Sequence, residues 1–226
     1  MVVVDSPHRK TLIENACLQR VEHRIDRHAA CFLAECMSHS GIVDRRDRHV
    51  VHYFVGVRRT GEALTGMLYI NVTPDGQRTF FGSRGANQLV GRLGQKESGL
   101  LARARAASLM GYSFLDDGGE AAAQQIIAAV RRKNGWVSLD AGMEPAKKIA
   151  GKILRVARTL DLFIVSSEEA TLLTGLRKPE KAFLSLLNLG IPEVVMKLGK
   201  RGCLIFDEGT LRQVPSFPVR AVLRSL

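Results

Sequence analysis

Polar groups that could do chemistry follow three short apolar runs in the second half of the chain. Trp136–Asp140 ends in a carboxylate, Leu162–Val165 is followed by Ser166, and Glu193–Leu198 leads into a glycine turn that closes at Gly202. Each run has the length and apolar content of a buried strand. Ligands of open α/β sheets bind where parallel strands end, so these groups are expected to share one binding edge.

Helical patterns separate these strands. Apolar residues recur on one face of Glu120–Lys133, which predicts a helix that ends at Gly135. Further helices are predicted over residues 144–159, 168–174 and 179–189, and a short buried strand over residues 106–112. Strands alternating with helices of this length are typical of βαβ units and of a mostly parallel sheet covered on both faces.

Two hairpins flank this core. Met67–Thr73 and Gln77–Phe81 are predicted to pair through a turn at Pro74–Gly76, where proline presets one corner and glycine tolerates positive φ. The second hairpin pairs residues 202–206 with residues 211–214.

Length and charge narrow the classes of protein. The 226 residues fit one α/β domain or two small ones, and no apolar stretch is long enough for a membrane helix. The net charge of +11 is spread as +3 over residues 1–60 (10 Lys/Arg, 7 Asp/Glu) and +8 over the rest. Since the cations come in twos and threes near helix ends without interleaved aromatics, we predict neither a nucleic-acid nor a membrane partner. Four cysteines and no secretory signal predict a cytoplasmic location.

The first 60 residues differ from the rest. All six histidines lie between His8 and His52, and three of the four cysteines lie there too. We therefore place a boundary near residue 60, between an atypical segment (1–60) and the regular part (61–226). A zinc site is the alternative use of this segment, but the spacing of its ligands, Cys17, His23, His28, Cys31, Cys36 and His39, fits no standard knuckle, so no metal site is predicted from it.

The order of motifs after residue 60 resembles the ribokinase/PfkB family of carbohydrate kinases. The matching pieces are Ser138–Asp140, the Asp161–Gly175 run, Val194–Gly202 and Val214–Val222, preceded by Ala63–Gly66, the hairpin and Arg84–Asn87. The resemblance implies a ribokinase-like three-layer αβα sandwich with a small β lid. It also implies transfer of the γ-phosphoryl of ATP to a hydroxyl of a sugar or sugar acid with Mg²⁺.

The resemblance further implies site residues. Glu169 matches the glutamate of the family's Asn-x-x-Glu motif, which organises Mg²⁺ and phosphates, and Ser166 stands where the family has asparagine. The alternative for Glu169 is an acidic first-turn residue that stabilises a helix dipole. Lys197, Gly199 and Gly202 match the strand end and turn along the nucleotide, or form a plain hairpin turn.

Four residues match the sugar side. Gly111 and Asp140 lie at ends of strands, and Asp140 is either a substrate or water ligand or an N-cap for the next helix. Arg84 and Asn87 follow the lid, where Arg84 either clamps an acidic substrate or is a solvated surface arginine. In this family the lid often forms a homodimer.

Two family motifs are not found. The family's Asp-Thr-x-Gly-Ala-Gly-Asp signature supplies the anion hole and the catalytic base, but the match here runs to Val222 and no Gly-Ala-Gly-Asp occurs. The Gly-Gly…Asn sugar segment is not found in residues 6–60, whereas Met1–Asp5 could be the end of the family's first strand.

We therefore expect a truncated kinase domain with no catalytic residue of its own and negligible phosphotransfer, or a non-catalytic sugar- or nucleotide-binding remnant. Residues 6–60 and the last four are expected to come from shifted or rearranged coding sequence.

Overall fold

The structure is a computed structural model that describes residues 2–3, 60–73 and 78–217. The predicted boundary near residue 60, the Cys/His segment and the turn at Pro74–Gly76 lie largely or wholly outside these residues. The strands are β1 Val2–Val3, β2 Thr65–Val72, β3 Arg78–Gly85, β4 Ala106–Met110, β5 Trp136–Asp140, β6 Leu162–Ser166, β7 Val194–Lys197, β8 Cys203–Asp207 and β9 Thr210–Val214. The α-helices are α1 Gln95–Leu101, α2 Asp117–Arg131, α3 Met143–Lys148, α4 Ala150–Ala157, α5 Ser167–Thr174 and α6 Pro179–Asn188.

In the part of the chain that the structure describes, seven strands form one mixed sheet in the order β1-β4-β5-β6-β7-β8-β9. The four central strands, β4 to β7, are parallel, while β1, β8 and β9 pair antiparallel at the edges. Helices connect each parallel strand to the next, as βαβ units require. The prediction of a mostly parallel sheet is confirmed, and the first residues do contribute a short strand that pairs with β4.

The alternation of side chains along the strands gives the sheet two different faces. One face carries core residues such as Leu139, Phe163 and Met196, which pack with helix residues including Ile126 and Phe183. The opposite face carries Ser138, which is fully buried, followed two residues later by Asp140. Both faces of the central strands are therefore covered, and the polar candidates lie on the face opposite to the main core.

Two helix predictions are wrong in detail. The segment 144–159 is not one helix, because Ile149 leaves the helical region (φ −136°, ψ 36°) and divides it into α3 and α4. α2 ends at Arg131 and the left-handed residue is Asn134 (φ 53°), not Gly135. Gly135 is needed for packing instead, since a Cβ there would lie 2.5 Å from the Val130 side chain and 2.6 Å from the Arg105 carbonyl oxygen.

Helix α1 has no counterpart among the predicted elements. Gly99 lies within it and lowers its intrinsic helix propensity. The Glu97 carboxylate accepts a hydrogen bond from the Gly94 N–H at 2.9 Å, and Leu101 is buried in the core. Tertiary packing therefore stabilises a helix that the local sequence disfavours.

The predicted hairpin is confirmed as a separate two-stranded sheet, called the lid here, formed by β2 and β3. Its second strand is longer than predicted and runs to Gly85, so Arg84 belongs to the lid. The lid exposes large apolar side chains, and the exposed fractions reach 71% for Met67, 67% for Tyr69 and 60% for Phe81. Among the described residues, none of the helices combines the length and hydropathy needed to span a bilayer.

Asp161 joins three elements at the amino end of the sheet. Its carboxylate accepts hydrogen bonds from the Val137 N–H (2.6 Å) and from Arg131 Nη1 (2.8 Å), and Arg131 also donates to the carbonyls of Gly135 and Thr159. Replacing Asp161 by alanine would leave the N–H of the fully buried Val137 without its acceptor.

We expect Asp161→Ala to lower the free energy of unfolding by about 2 kcal/mol, measured by urea denaturation. Glu144→Ala is the matched control because it removes a carboxylate from an exposed ion pair with Lys148 and should leave the free energy of unfolding nearly unchanged. Equal losses for the two variants would contradict the role given to Asp161.

Candidate functional site

An ion pair bridges the carboxyl ends of two strands that are not neighbours. Lys197 Nζ, at the end of β7, donates to Asp140 Oδ2, at the end of β5, at 2.7 Å. Strand β6 lies between them, so the lysine side chain reaches across it. The two side chains are 37% and 29% exposed, which leaves both open to a ligand at this edge.

The intervening strand ends in a capping box. Ser166 Oγ accepts from the Glu169 N–H at 3.1 Å, and Glu169 Oε2 accepts from the Ser166 N–H at 2.7 Å. Ser166 is therefore the N-cap of α5 and Glu169 is its third residue, the reciprocal arrangement that satisfies two otherwise free amides. The interpretation of Glu169 as a first-turn acidic residue is confirmed, and it does not conflict with a role toward a ligand.

Glu169 is a buried carboxyl beside charged neighbours. Only 7% of the residue is exposed, and burial raises the pKa of Glu169 above its ordinary value of 4.5, while the hydrogen bond from Ser166 and the charge of Lys197 act in the opposite direction. Asp140 acts in the same direction as burial. Asp140, Ser166, Glu169 and Lys197 are thus one electrostatic unit, called the edge cluster here.

The N-cap alternative for Asp140 is wrong. Helix α3 begins after Gly142, and no side chain caps it. Asp140 has Lys197 as its hydrogen-bond partner instead. Asp140 therefore lies at the carboxyl edge of the sheet, as expected from the sequence.

The turn after β7 contains two glycines that differ in the space around them. Gly202 has φ +86°, and a Cβ there would lie 1.9 Å from the Val214 carbonyl oxygen, so this position packs against β9. Gly199 has φ +60° with no atom within 4 Å of the position of a Cβ. Space therefore exists beside the Gly199 backbone, close in sequence to Lys197.

Gly111 also has a packing reason. A Cβ on this buried residue would lie 1.9 Å from the Ala141 carbonyl oxygen, so only glycine lets the end of β4 approach the loop after β5. Its predicted contact with a sugar remains a prediction.

Arg84 and Asn87 lie at the base of the lid, apart from the edge cluster. Arg84 Nη2 donates to Asp116 Oδ2 at 2.9 Å and to the Tyr112 carbonyl oxygen at 3.1 Å, so Arg84 is not a solvated surface arginine. Asn87 is exposed in a short 3-10 turn, and its amide nitrogen would lie 2.7 Å from a Cβ on Gly66. Their predicted role toward a substrate remains untested by these contacts.

Asp116 and Tyr112 are two relevant residues that the sequence reasoning missed. Asp116 precedes Asp117-Gly-Gly-Glu120 and accepts from the Gly119 N–H at 2.7 Å as the N-cap of α2. An aspartate just before a glutamate-led helical pattern, here four residues before Glu120, is a readable N-cap signal. The second carboxylate oxygen of Asp116 binds Arg84, and no local sequence pattern predicts this contact because Arg84 lies 32 residues away.

The edge cluster fits Mg²⁺ in the way that nucleotide sites hold it. Among the described residues, no three His, Cys, Asp or Glu side chains form an all-protein metal cage. Mg²⁺ usually keeps several waters and binds one or two carboxylates together with phosphate oxygens. Asp140 and Glu169 supply hard oxygen donors of that kind, and both interact with Lys197, which lies two residues before Gly199.

Comparison with solved structures identifies the fold class. Ribokinase from Thermotoga maritima superimposes with a TM-score of 0.53 at 26% identity, covering 71% of this chain and 51% of that one. A protein from E. coli designated a putative Ribokinase II and solved with ATP and Mg²⁺ superimposes with a TM-score of 0.55 at 22% identity, covering 69% and 52%. The fold is that of the ribokinase-type kinases, as predicted.

The sequence places the chain within that class. The chain belongs to the pfkB family of carbohydrate kinases, whose profile matches residues 49–223. It is 25% identical over 170 residues to Ribokinase from Staphylococcus aureus strain COL, covering 73% of this chain and 53% of that protein. The chain thus spans about half the length of the relatives that it matches.

Glu169→Gln is expected to flatten the pH dependence of the unfolding free energy above pH 4.5. The folded protein holds the Glu169 proton more tightly than the unfolded chain does, so this carboxyl favours folding at low pH and the benefit is lost as pH rises through its raised pKa. Glutamine keeps an acceptor for the Ser166 N–H but does not titrate.

The measurement is urea denaturation in a series of buffers, with the same change at the exposed neighbour, Glu168→Gln, as the matched control. Identical pH profiles for Glu169→Gln and the wild type would refute the assignment.

Proposed function

We propose that the chain binds ATP, Mg²⁺ and a sugar or sugar acid at the carboxyl edge of the sheet, as part of an ATP-dependent carbohydrate kinase. The observation that carries the proposal is the edge cluster, in which Asp140, Glu169 and Lys197 interact at the carboxyl ends of three successive parallel strands, Asp140 and Lys197 from β5 and β7 and Glu169 from the first turn of the helix that follows β6. Membership of the pfkB family supplies the reaction class.

The nucleotide side of the proposal rests on Lys197 and the glycine turn. Lys197 places an ammonium group at the edge, and the open backbone at Gly199 lets amides approach phosphate oxygens without steric conflict. Gly202 fixes the turn through its contact with Val214. The related E. coli protein solved with ATP and Mg²⁺ supports this ligand pair.

When bound, Mg²⁺ would neutralise charge on the phosphates of the nucleotide. Glu169 would hold the ion through water, since its Oε2 already accepts from Ser166. Ser166 would orient Glu169 through the same hydrogen bond rather than contact the ion itself. Asp140 would accept a hydrogen bond from a substrate hydroxyl or from a water.

The sugar side rests on the lid. Arg84, at the base of the lid, donates to the Tyr112 carbonyl oxygen in the turn that starts with Gly111 at the end of β4, and Asn87 follows Arg84 by three residues. We propose that a small sugar or sugar acid binds between the lid and this edge, and ribose is the first compound to test because two similar proteins are ribokinases. We also propose a cytoplasmic location and no nucleic-acid or membrane partner, from the cysteine usage and the dispersed cations.

The second candidate is non-catalytic binding of a sugar or nucleotide. It rests on one observation, that the sequence of residues 1–226 contains no Gly-Ala-Gly-Asp, the motif that supplies the anion hole and base in the family. Both candidates predict ligand binding, and they differ in turnover. A coupled assay for ADP release with ribose separates them, because measurable sugar-dependent turnover by these 226 residues supports catalysis and excludes the second candidate.

Lys197→Ala is expected to weaken ATP–Mg²⁺ binding about tenfold, because a charge-assisted contact to phosphate is lost. The measurement is the ligand-induced rise in melting temperature over a titration of ATP with Mg²⁺. Lys200→Ala, which removes an exposed cation three residues away, is the matched control and should bind like the wild type. No thermal shift with the wild-type chain would overturn the nucleotide part of the proposal.

The lid is proposed to form a homodimer through its exposed apolar side chains. A patch that contains Met67, Tyr69 and Phe81, each more than half exposed, is unusual on a monomer. We expect Phe81→Ser to shift the sedimentation coefficient from dimer to monomer, whereas Phe206→Ser, at an exposed phenylalanine on β8, leaves it unchanged. A wild-type chain that sediments as a monomer at micromolar concentration would contradict the proposal.

A further inference from the structure

Arg84 connects the lid to the body of the protein. Its Nη2 contacts two acceptors, Asp116 Oδ2 at 2.9 Å and the Tyr112 carbonyl oxygen at 3.1 Å. Within the described residues, the side-chain hydrogen bonds from the lid strands to the body both come from Arg84. The Arg84 and Asp116 side chains are 28% and 25% exposed, so the pair is partly shielded from water.

The two strands of the lid pack closely at the base of the lid, so a contact made by Arg84 restrains both of them. Gly85 has φ +49°, and a Cβ there would lie 2.4 Å from the Leu64 carbonyl oxygen. A Cβ on Gly66 would lie 2.5 Å from the Arg84 carbonyl oxygen, and the Ala86 N–H donates to Leu64 at 2.8 Å. The two ends of the lid are therefore locked together beside Arg84.

The body side of the contact is also fixed. Asp116 uses its other oxygen to accept from the Gly119 N–H at 2.7 Å, so the carboxylate is oriented by the first turn of α2. The Tyr112 ring lies against Gly142, where a Cβ would be 2.8 Å from its Cε2 atom, and Gly142 follows Asp140 by two residues. The acceptors of Arg84 thus belong to the edge that carries the edge cluster.

We propose that the Arg84–Asp116 pair is a latch that sets the position of the lid over the carboxyl edge, which makes Arg84 a positioning residue. This inference rests on the proposed function for its purpose, but the lid position can be measured without any ligand. It differs from the expectation that Arg84 clamps a substrate, because here the Arg84 guanidinium is engaged by the Asp116 carboxylate and the Tyr112 carbonyl oxygen.

The test measures the distance between the lid and the body in the ligand-free chain by pulsed electron spin resonance. Spin labels are carried on a non-cysteine amino acid at two exposed positions, Leu68 in the lid and Gln124 in α2, so that the native thiols remain. The labelled chain is diluted with an excess of unlabelled chain so that distances between two copies do not contribute, and we then expect one narrow distance distribution in the wild type. In Arg84→Gln and in Asp116→Asn, we expect it to broaden and its maximum to shift.

Asp116→Asn is the informative variant. Its side-chain oxygen can still accept from the Gly119 N–H, so the helix cap is kept while the charge facing Arg84 is lost. Asp117→Asn is the matched control, because it makes the same charge change at an exposed residue of the same helix turn. The control should keep the wild-type distribution.

The double variant Arg84→Gln/Asp116→Asn completes the cycle. If the two residues act as one latch, its distance distribution equals that of Arg84→Gln, since that change alone already removes the ion pair with Asp116 and the hydrogen bond to the Tyr112 carbonyl oxygen. A wild-type distribution in Asp116→Asn, or additive effects in the double variant, would overturn the proposal. If the distance distributions behave as expected but the wild-type chain binds neither ATP nor a sugar, the result counts against the proposed function alone.

Discussion

The register of three parallel strands is the constraint on which the candidate site depends. Asp140 aligns with Ile164 on β6, and Ser166 on β6 aligns with Lys197 on β7, so the strand ends are staggered by a fixed amount. Neighbouring strands lie about 4.8 Å apart, so Asp140 and Lys197 are separated sideways by roughly 10 Å, in addition to the stagger, and their two side chains together span this distance. A slip of one residue in either pairing would send one partner to the opposite face of the sheet.

The same edge organises the lid. Strand β4 ends beside Gly111, and the close approach of Gly111 to Ala141 brings the turn that carries Tyr112 against the loop after β5. Arg84 binds this turn and the N-cap of α2, so the lid is fastened to the same strand ends that present the edge cluster. The packing at the carboxyl ends of the strands therefore positions both the edge cluster and the lid.

Much of this arrangement could be predicted from the sequence, and the exceptions share a cause. Period-two and period-3.6 patterns locate the strands and most helices, and Ser166-x-x-Glu169 is a capping box that the sequence itself displays. The partner of Lys197 lies 57 residues away and the partner of Arg84 lies 32 residues away, so no local pattern reveals them. The packing reason for Gly111 likewise depends on a neighbouring strand.

The charge balance of the edge cluster links the ligand-free geometry to the proposed function. Two carboxylates face one ammonium group, and the ion pair engages Lys197 with Asp140 while Glu169 stays buried with a raised pKa. On the proposed function, Lys197 would exchange Asp140 for a phosphate oxygen, and Asp140 would become free to accept from a hydroxyl or a water. The partly exposed pair contributes about 1 kcal/mol or less, so a doubly charged phosphate competes for Lys197 at little cost. The ion pair is therefore suited to hold the lysine in place before a nucleotide arrives.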